Sequence, residues 1–137
     1  MKDLLDANIE CSIDFINKDD QKIILSYAKK ISFPIDKIKI YYLDHREIKH
    51  HLNKFDFGMI FYDTSYWRKV CSPTKLGEFL AAGLPIISLK GIDIIDYFTI
   101  QYNFFLNLRK NEILNDKQYL KNLIEFISMK HNNKNCQ

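Results

Sequence analysis

The run Ser72-Pro73-Thr74-Lys75-Leu76-Gly77-Glu78-Phe79-Leu80-Ala81-Ala82-Gly83-Leu84-Pro85-Ile86-Ile87-Ser88 constrains the fold more than any other part of the chain. It sets a helix start, a helix stop and a buried strand in immediate succession. Ser72 suits the N-cap, and Pro73 suits the first helical position, where its missing N–H would have no partner in any case. Gly83 supplies the left-handed stop. The spacing therefore predicts a helix over 73–82 leading directly into a strand over 84–89. Leu76, Phe79 and Leu80 follow the i, i+3, i+4 rule and are expected to face a core. Gly77 and Ala81 make a flat stripe that would admit another backbone, and Lys75 and Glu78, three apart, share a different face.

The rest of the chain repeats this alternation. Ile9 to Asn17 reads as a first strand, and Asp19 and Asp20 cap a helix whose apolar positions Ile23, Ile24, Tyr27, Ala28 and Ile31 keep a 3.6 period up to Pro34. A second strand runs from Lys37 to Leu43. Asp44 followed by Glu47 is a capping-box pattern that opens a short helix, with Ile48, Leu52 and Phe55 on one face. Phe57 to Tyr62 is wholly apolar and too short for a buried helix, which predicts a central strand covered on both faces. Beyond Lys90-Gly91 the pattern fits both periods. It divides into a helix over 92–101 and a strand over 103–108, followed by a helix over 116–129 burying Leu120, Leu123, Ile124 and Ile127.

Strands alternating with helices across short connections predict an α/β fold: a three-layer, Rossmann-like sandwich with a mostly parallel sheet of about five strands. The 137 residues are expected to form one domain over 1–129 with a disordered polar tail over 130–137. There are no internal repeats. The dinucleotide fingerprint G-x-G-x-x-G, the Walker A loop, the G-x-S-x-G elbow and H-E-x-x-H are all missing. With only four glycines, any phosphate must be held by the helix start at Pro73 and not by a glycine loop.

A net charge of +3 is compatible with an anionic ligand, but no basic tract interleaved with aromatics argues for nucleic acid. Cys11, Cys71 and Cys136 show neither a disulfide framework nor metal-ligand spacing, which suits a reducing cytoplasm. No apolar run reaches the roughly 20 residues of a membrane span, and nothing at the N-terminus has the order of a signal peptide.

The first turn of the helix at Pro73 offers unpaired N–H groups and the positive end of the helix dipole. Beside them stand the Ser72 and Thr74 hydroxyls and the Lys75 ammonium, a set that suits a phosphate. Glu78, one turn on, could accept hydrogen bonds from a sugar's vicinal hydroxyls; the alternative is a well-capped helix with a solvated lysine and glutamate. Arg68 and Lys69 lie in the preceding loop, at the strand end where open α/β sheets collect ligands, and serve either as phosphate partners or as solvated charges. His45, His50 and His51 do not suggest a metal. Adjacent helical residues point about 100° apart, and no pair has i, i+4 spacing.

The run Ser72 to Ile87 resembles the donor-binding segment of GT-B glycosyltransferases of the glycosyltransferase 4 type (glycosyl transferases group 1). The match covers sixteen residues, with weaker similarity in element order from about residue 9 to residue 128. The resemblance implies that the helix start at Ser72, Pro73, Thr74 and Lys75 holds the diphosphate of a nucleotide sugar and that Glu78 binds its ribose. It also puts His45 at the strand end where the nucleotide base lies. Many members carry a second glutamate eight residues before the one matching Glu78; here that position is Val70, so the catalytic residues stay unassigned.

Membership would imply metal-independent, retaining glycosyl transfer in surface polysaccharide or glycolipid biosynthesis, with no cofactor beyond the nucleotide-sugar substrate. It would also imply a separate or missing N-terminal acceptor-binding domain, and a missing first strand-loop unit that brings basic residues to the diphosphate. The chain alone is then not expected to be active, and any peripheral membrane contact falls to the missing domain. The other readings are an inactive fragment, a regulatory or partner-binding flavodoxin-like module, and a GT-B sugar-nucleotide epimerase.

Overall fold

The computed structural model describes Leu5 and residues 9–16, 21–61, 73–109 and 118–134. These contain five strands and five α-helices: β1 (Ile13–Ile16), α1 (Gln21–Lys30), β2 (Ile38–Tyr41), α2 (His45–Leu52), β3 (Gly58–Ile60), α3 (Thr74–Ala81), β4 (Ile86–Leu89), α4 (Asp93–Gln101), β5 (Phe105–Leu108) and α5 (Gln118–Lys134). A short 3₁₀ turn, Ile35–Lys37, leads into β2. Every strand pairing is parallel, and a helix lies between each pair of successive strands, so the α/β, Rossmann-like class holds. The expected five strands are divided between a two-stranded sheet, β1-β2, and a three-stranded sheet, β3-β4-β5. The chain also separates into two compact units, Met1–Ile48 and Lys49–Gln137.

In the first unit, Ile13 pairs with Ile38 and Ile16 with Tyr41. The helix α1 ends where the Ser32 N–H donates to Lys29 O at 3.1 Å and the Phe33 N–H to Ala28 O at 2.9 Å. Ser32 takes the left-handed conformation (φ 53°) that this double bond requires. The expected apolar face is only partly used. Ala28 is buried, but Ile23 and Tyr27 are 59% and 62% exposed. At the next helix the Glu47 carboxylate accepts the Asp44 N–H at 3.0 Å, the reciprocal half of the predicted capping box.

One ion pair ties the amino-terminal segment to the turn before β2: Lys37 Nζ lies 2.9 Å from Glu10 Oε1. The hydrogen bond and charge of Lys37 hold the Glu10 carboxyl below its ordinary value of 4.5. The same contact, from the other side, raises Lys37 above 10.5. Because the folded carboxyl is depressed, its contribution is complete above the ordinary carboxylate value and is lost as pH falls through the folded one. Because the lysine is raised, its contribution is complete below 10.5 and fades only as pH rises through the folded value. Glu10→Gln is therefore expected to lower the melting temperature slightly at neutral pH, with the difference vanishing on acidification through the carboxylate range. A difference that persists in acid would show that the pair is not its cause.

The second unit is built on β4, which is central in its sheet and buried over Ile86, Ile87 and Ser88. Ile60, Leu76, Ile86, Ile92, Ile95 and Phe105 form its core, with Phe79, Ile94, Phe98 and Phe104 packed against them. The expectation that Phe57 to Tyr62 supplies the central strand is corrected. Within this sheet β3 is an edge, and its outward Met59 is 37% exposed. The division of residues 92–108 into helix and strand is as expected. Phe98 on α4 stacks on Phe105 of β5 with ring centroids 5.7 Å apart.

The helix α5 buries Tyr119, Leu123 and Phe126, a stripe rotated from the expected Leu120, Leu123, Ile124 and Ile127, which apart from Leu123 are only half-buried. Two aromatic rings bring more apolar area than the aliphatic alternatives, and Phe126 meets Phe57 at 5.8 Å. The helical backbone continues to Lys134, into the stretch expected to be a disordered tail.

Candidate functional site

Pro73 opens the approach to α3. It occupies the cap position in an extended conformation (φ −63°, ψ 127°), one residue before the helical slot predicted for it, and its carbonyl accepts the Leu76 N–H at 2.9 Å. Thr74 is the first helical residue and is exposed. The helix stops as the sequence predicts: Gly83 has φ 67°, its N–H donates to Leu80 O at 3.0 Å, and the Leu84 N–H donates to Phe79 O at 2.9 Å. Leu76 faces the core, Phe79 is half-buried, and Leu80 is turned outward.

A residue outside the expected site fixes how α3 lies on the sheet. A Cβ on Gly58 would fall 2.4–2.8 Å from the Phe79 ring, so the absence of a side chain at the start of β3 is what lets the end of α3 settle there. Gly77, expected to admit a neighbouring backbone, has open space around its Cβ direction instead. With the end of α3 over the start of β3, the start of α3 points to the carboxyl ends of the strands. That is the end at which parallel sheets bind ligands.

On that helix Lys75 and Glu78 come together. Lys75 Nζ lies 2.8 Å from Glu78 Oε2, with side-chain exposures of 36% and 22%. The predicted shared face is thus a part-buried ion pair one turn into the helix. Ser72, Arg68, Lys69 and Val70 lie outside the described residues. His45 begins α2 and belongs to the other compact unit.

At the carboxyl ends of β4 and β5 is a polar network that matches no sequence motif. Ser88 and Asn107 are register partners on adjacent strands, and the Ser88 hydroxyl donates to Asn107 Oδ1. Asn107 Nδ2 donates to Asp96 Oδ1 at 2.6 Å, and the Gly91 N–H donates to Asp96 Oδ2 at 3.1 Å. The Lys90 N–H donates to Leu108 O at 2.9 Å, and Gly91 has φ 111°, a conformation open to glycine. One signal was present in the sequence: a serine inside the apolar run Ile86-Ile87-Ser88-Leu89 must find a partner once the strand is buried. The network fixes the turn between β4 and α4 at the same sheet end as the start of α3.

Among the described residues no group of three or more His, Cys, Asp or Glu side chains is arranged to hold a metal ion. His51 packs edge-on against Phe55, with ring centroids 5.3 Å apart. Burial pushes the Cys11 thiol up, away from the thiolate form a nucleophile needs. No helix among the described residues is long and apolar enough to cross a membrane. No protein-family model, curated protein or solved structure matches the chain.

Proposed function

We propose that this chain is the donor-nucleotide-sugar-binding part of a glycosyltransferase of the GT-B type, acting in the cytoplasm in surface polysaccharide or glycolipid synthesis. The observation that carries the proposal is the part-buried Lys75–Glu78 pair on a helix that starts at the carboxyl end of a parallel sheet. That combination offers an anion-binding helix start and, one turn on, a carboxylate able to accept from two neighbouring hydroxyls. A nucleotide sugar presents this order of groups, with its diphosphate next to a ribose. In the proposed arrangement Ser72, Pro73 and Thr74 bind the diphosphate together with Arg68 and Lys69, and Glu78, paired with Lys75, holds the ribose. Stabilising charge on the departing diphosphate needs no covalent nucleophile and no metal. With Val70 at the position of the second glutamate, the role assigned to these residues is donor binding.

Isothermal titration with UDP, GDP, ADP and CMP, carried to millimolar ligand, tests this. One nucleotide is expected to bind saturably, and Glu78→Ala is expected to weaken it about tenfold or more, the worth of a charge-assisted hydrogen bond. Absence of binding by all four, or unchanged affinity in Glu78→Ala, would sink the assignment.

A further inference from the structure

Lys75 invites assignment as a phosphate ligand, because it stands in the first turn of α3. Its observed contact is different. The ammonium is 2.8 Å from Glu78 Oε2, and Glu78 is the more enclosed of the two side chains. The pair spans three residues on one helical face, so Lys75 reaches Glu78 without leaving the helix surface. An ammonium that is already neutralised by a carboxylate is a weaker anchor for a second anion than a lone lysine would be. A carboxylate held at a fixed point is a better acceptor for a ribose than one free to swing, because less rotamer freedom is lost on binding.

We infer that Lys75 is a positioning residue for the ribose-binding carboxylate of Glu78 and not a contact to the diphosphate. The inference rests on the donor-site proposal and narrows it. Of the groups at the helix start, the backbone N–H groups and the hydroxyls are left to meet the phosphates, and the lysine sets recognition of the sugar hydroxyls through its partner. The consequence is a dependence on ribose chemistry at a residue that touches no ribose.

The test compares the nucleoside diphosphate that binds best among UDP, GDP, ADP and CMP's diphosphate counterpart CDP with its 2′,3′-dideoxy analogue, using wild type, Lys75→Met and Lys75→Arg. For the ribose form, Lys75→Met is expected to weaken binding about two- to fivefold, the worth of a partly exposed ion pair, and Lys75→Arg to restore most of it. For the dideoxy form, which offers Glu78 no hydroxyls, Lys75→Met is expected to bind as wild type does. An equal loss with both ligands would overturn the inference while leaving the donor site standing, since a phosphate contact or a general loosening of α3 would each act without regard to the ribose. Failure of the wild type to bind any nucleoside diphosphate would remove the donor site and the inference together.

Discussion

Gly58→Ala is expected to destabilise the protein by about 1–3 kcal/mol, the range for adding a methyl group where the core is already filled. The Phe79 atoms in its way are Cγ, Cδ2 and Cε2, at 2.4–2.8 Å from the added Cβ. Cγ is the root of the ring, so a rotation of the far end cannot clear it and α3 itself must lift from β3. Thermal or denaturant unfolding of the single variant and of Gly58→Ala/Phe79→Leu measures the effect. The smaller, flexible leucine is expected to recover part of the loss, giving a coupling between the two sites. Additive losses in the double variant would show that the strain lies elsewhere than at this contact.

Ile86→Ala is expected to cost more, about 2–5 kcal/mol, because it leaves a cavity in the middle of the central strand. Ile86 is fully buried, pairs in register with Gly58 on one side and Phe105 on the other, and belongs to the core cluster. Ile100→Ala is the control. It removes the same atoms from a helix residue that is 82% exposed, and is expected to change stability by no more than about 0.5 kcal/mol. Denaturant melts of the two variants side by side make the comparison. Equal losses would contradict the placement of the core.

The order of strands and helices was legible in the sequence because it rests on local signals: the alternation of periods, the capping box at Asp44 and the glycine stop at Gly83. These act within a few residues, and the structure keeps each of them. What the sequence left open depends on contacts between elements. Gly58 looked like one residue in an apolar run, and only the position of Phe79 gives its missing side chain a purpose. The apolar period of α1 was visible, but periodicity alone does not say which of Ile23, Tyr27 and Ala28 is covered. In α5 the rotation of the stripe depends on Phe126 finding Phe57, a partner more than sixty residues away.

The candidate site divides in the same way. The spacing of Lys75 and Glu78 put them on one face, while the fact that they bind each other follows from side-chain geometry that spacing does not contain. Ser88, Asp96 and Asn107 carried no motif because they join three different elements.

The chain of bonds from Ser88 through Asn107 and Asp96 to the Gly91 N–H also limits how this sequence can change over time. Parallel strands made of Ile and Leu can slide by two residues and keep their apolar faces inward; an amide and a hydroxyl that must meet across them cannot. Position 107 can exchange its amide for an apolar side chain only if position 88 changes with it, since the fully buried Ser88 hydroxyl would otherwise lose its partner away from water. Positions 88 and 107 should therefore vary together or not at all among descendants of this chain, and a laboratory lineage selected for folding would cross between the polar and apolar solutions only through a less stable intermediate.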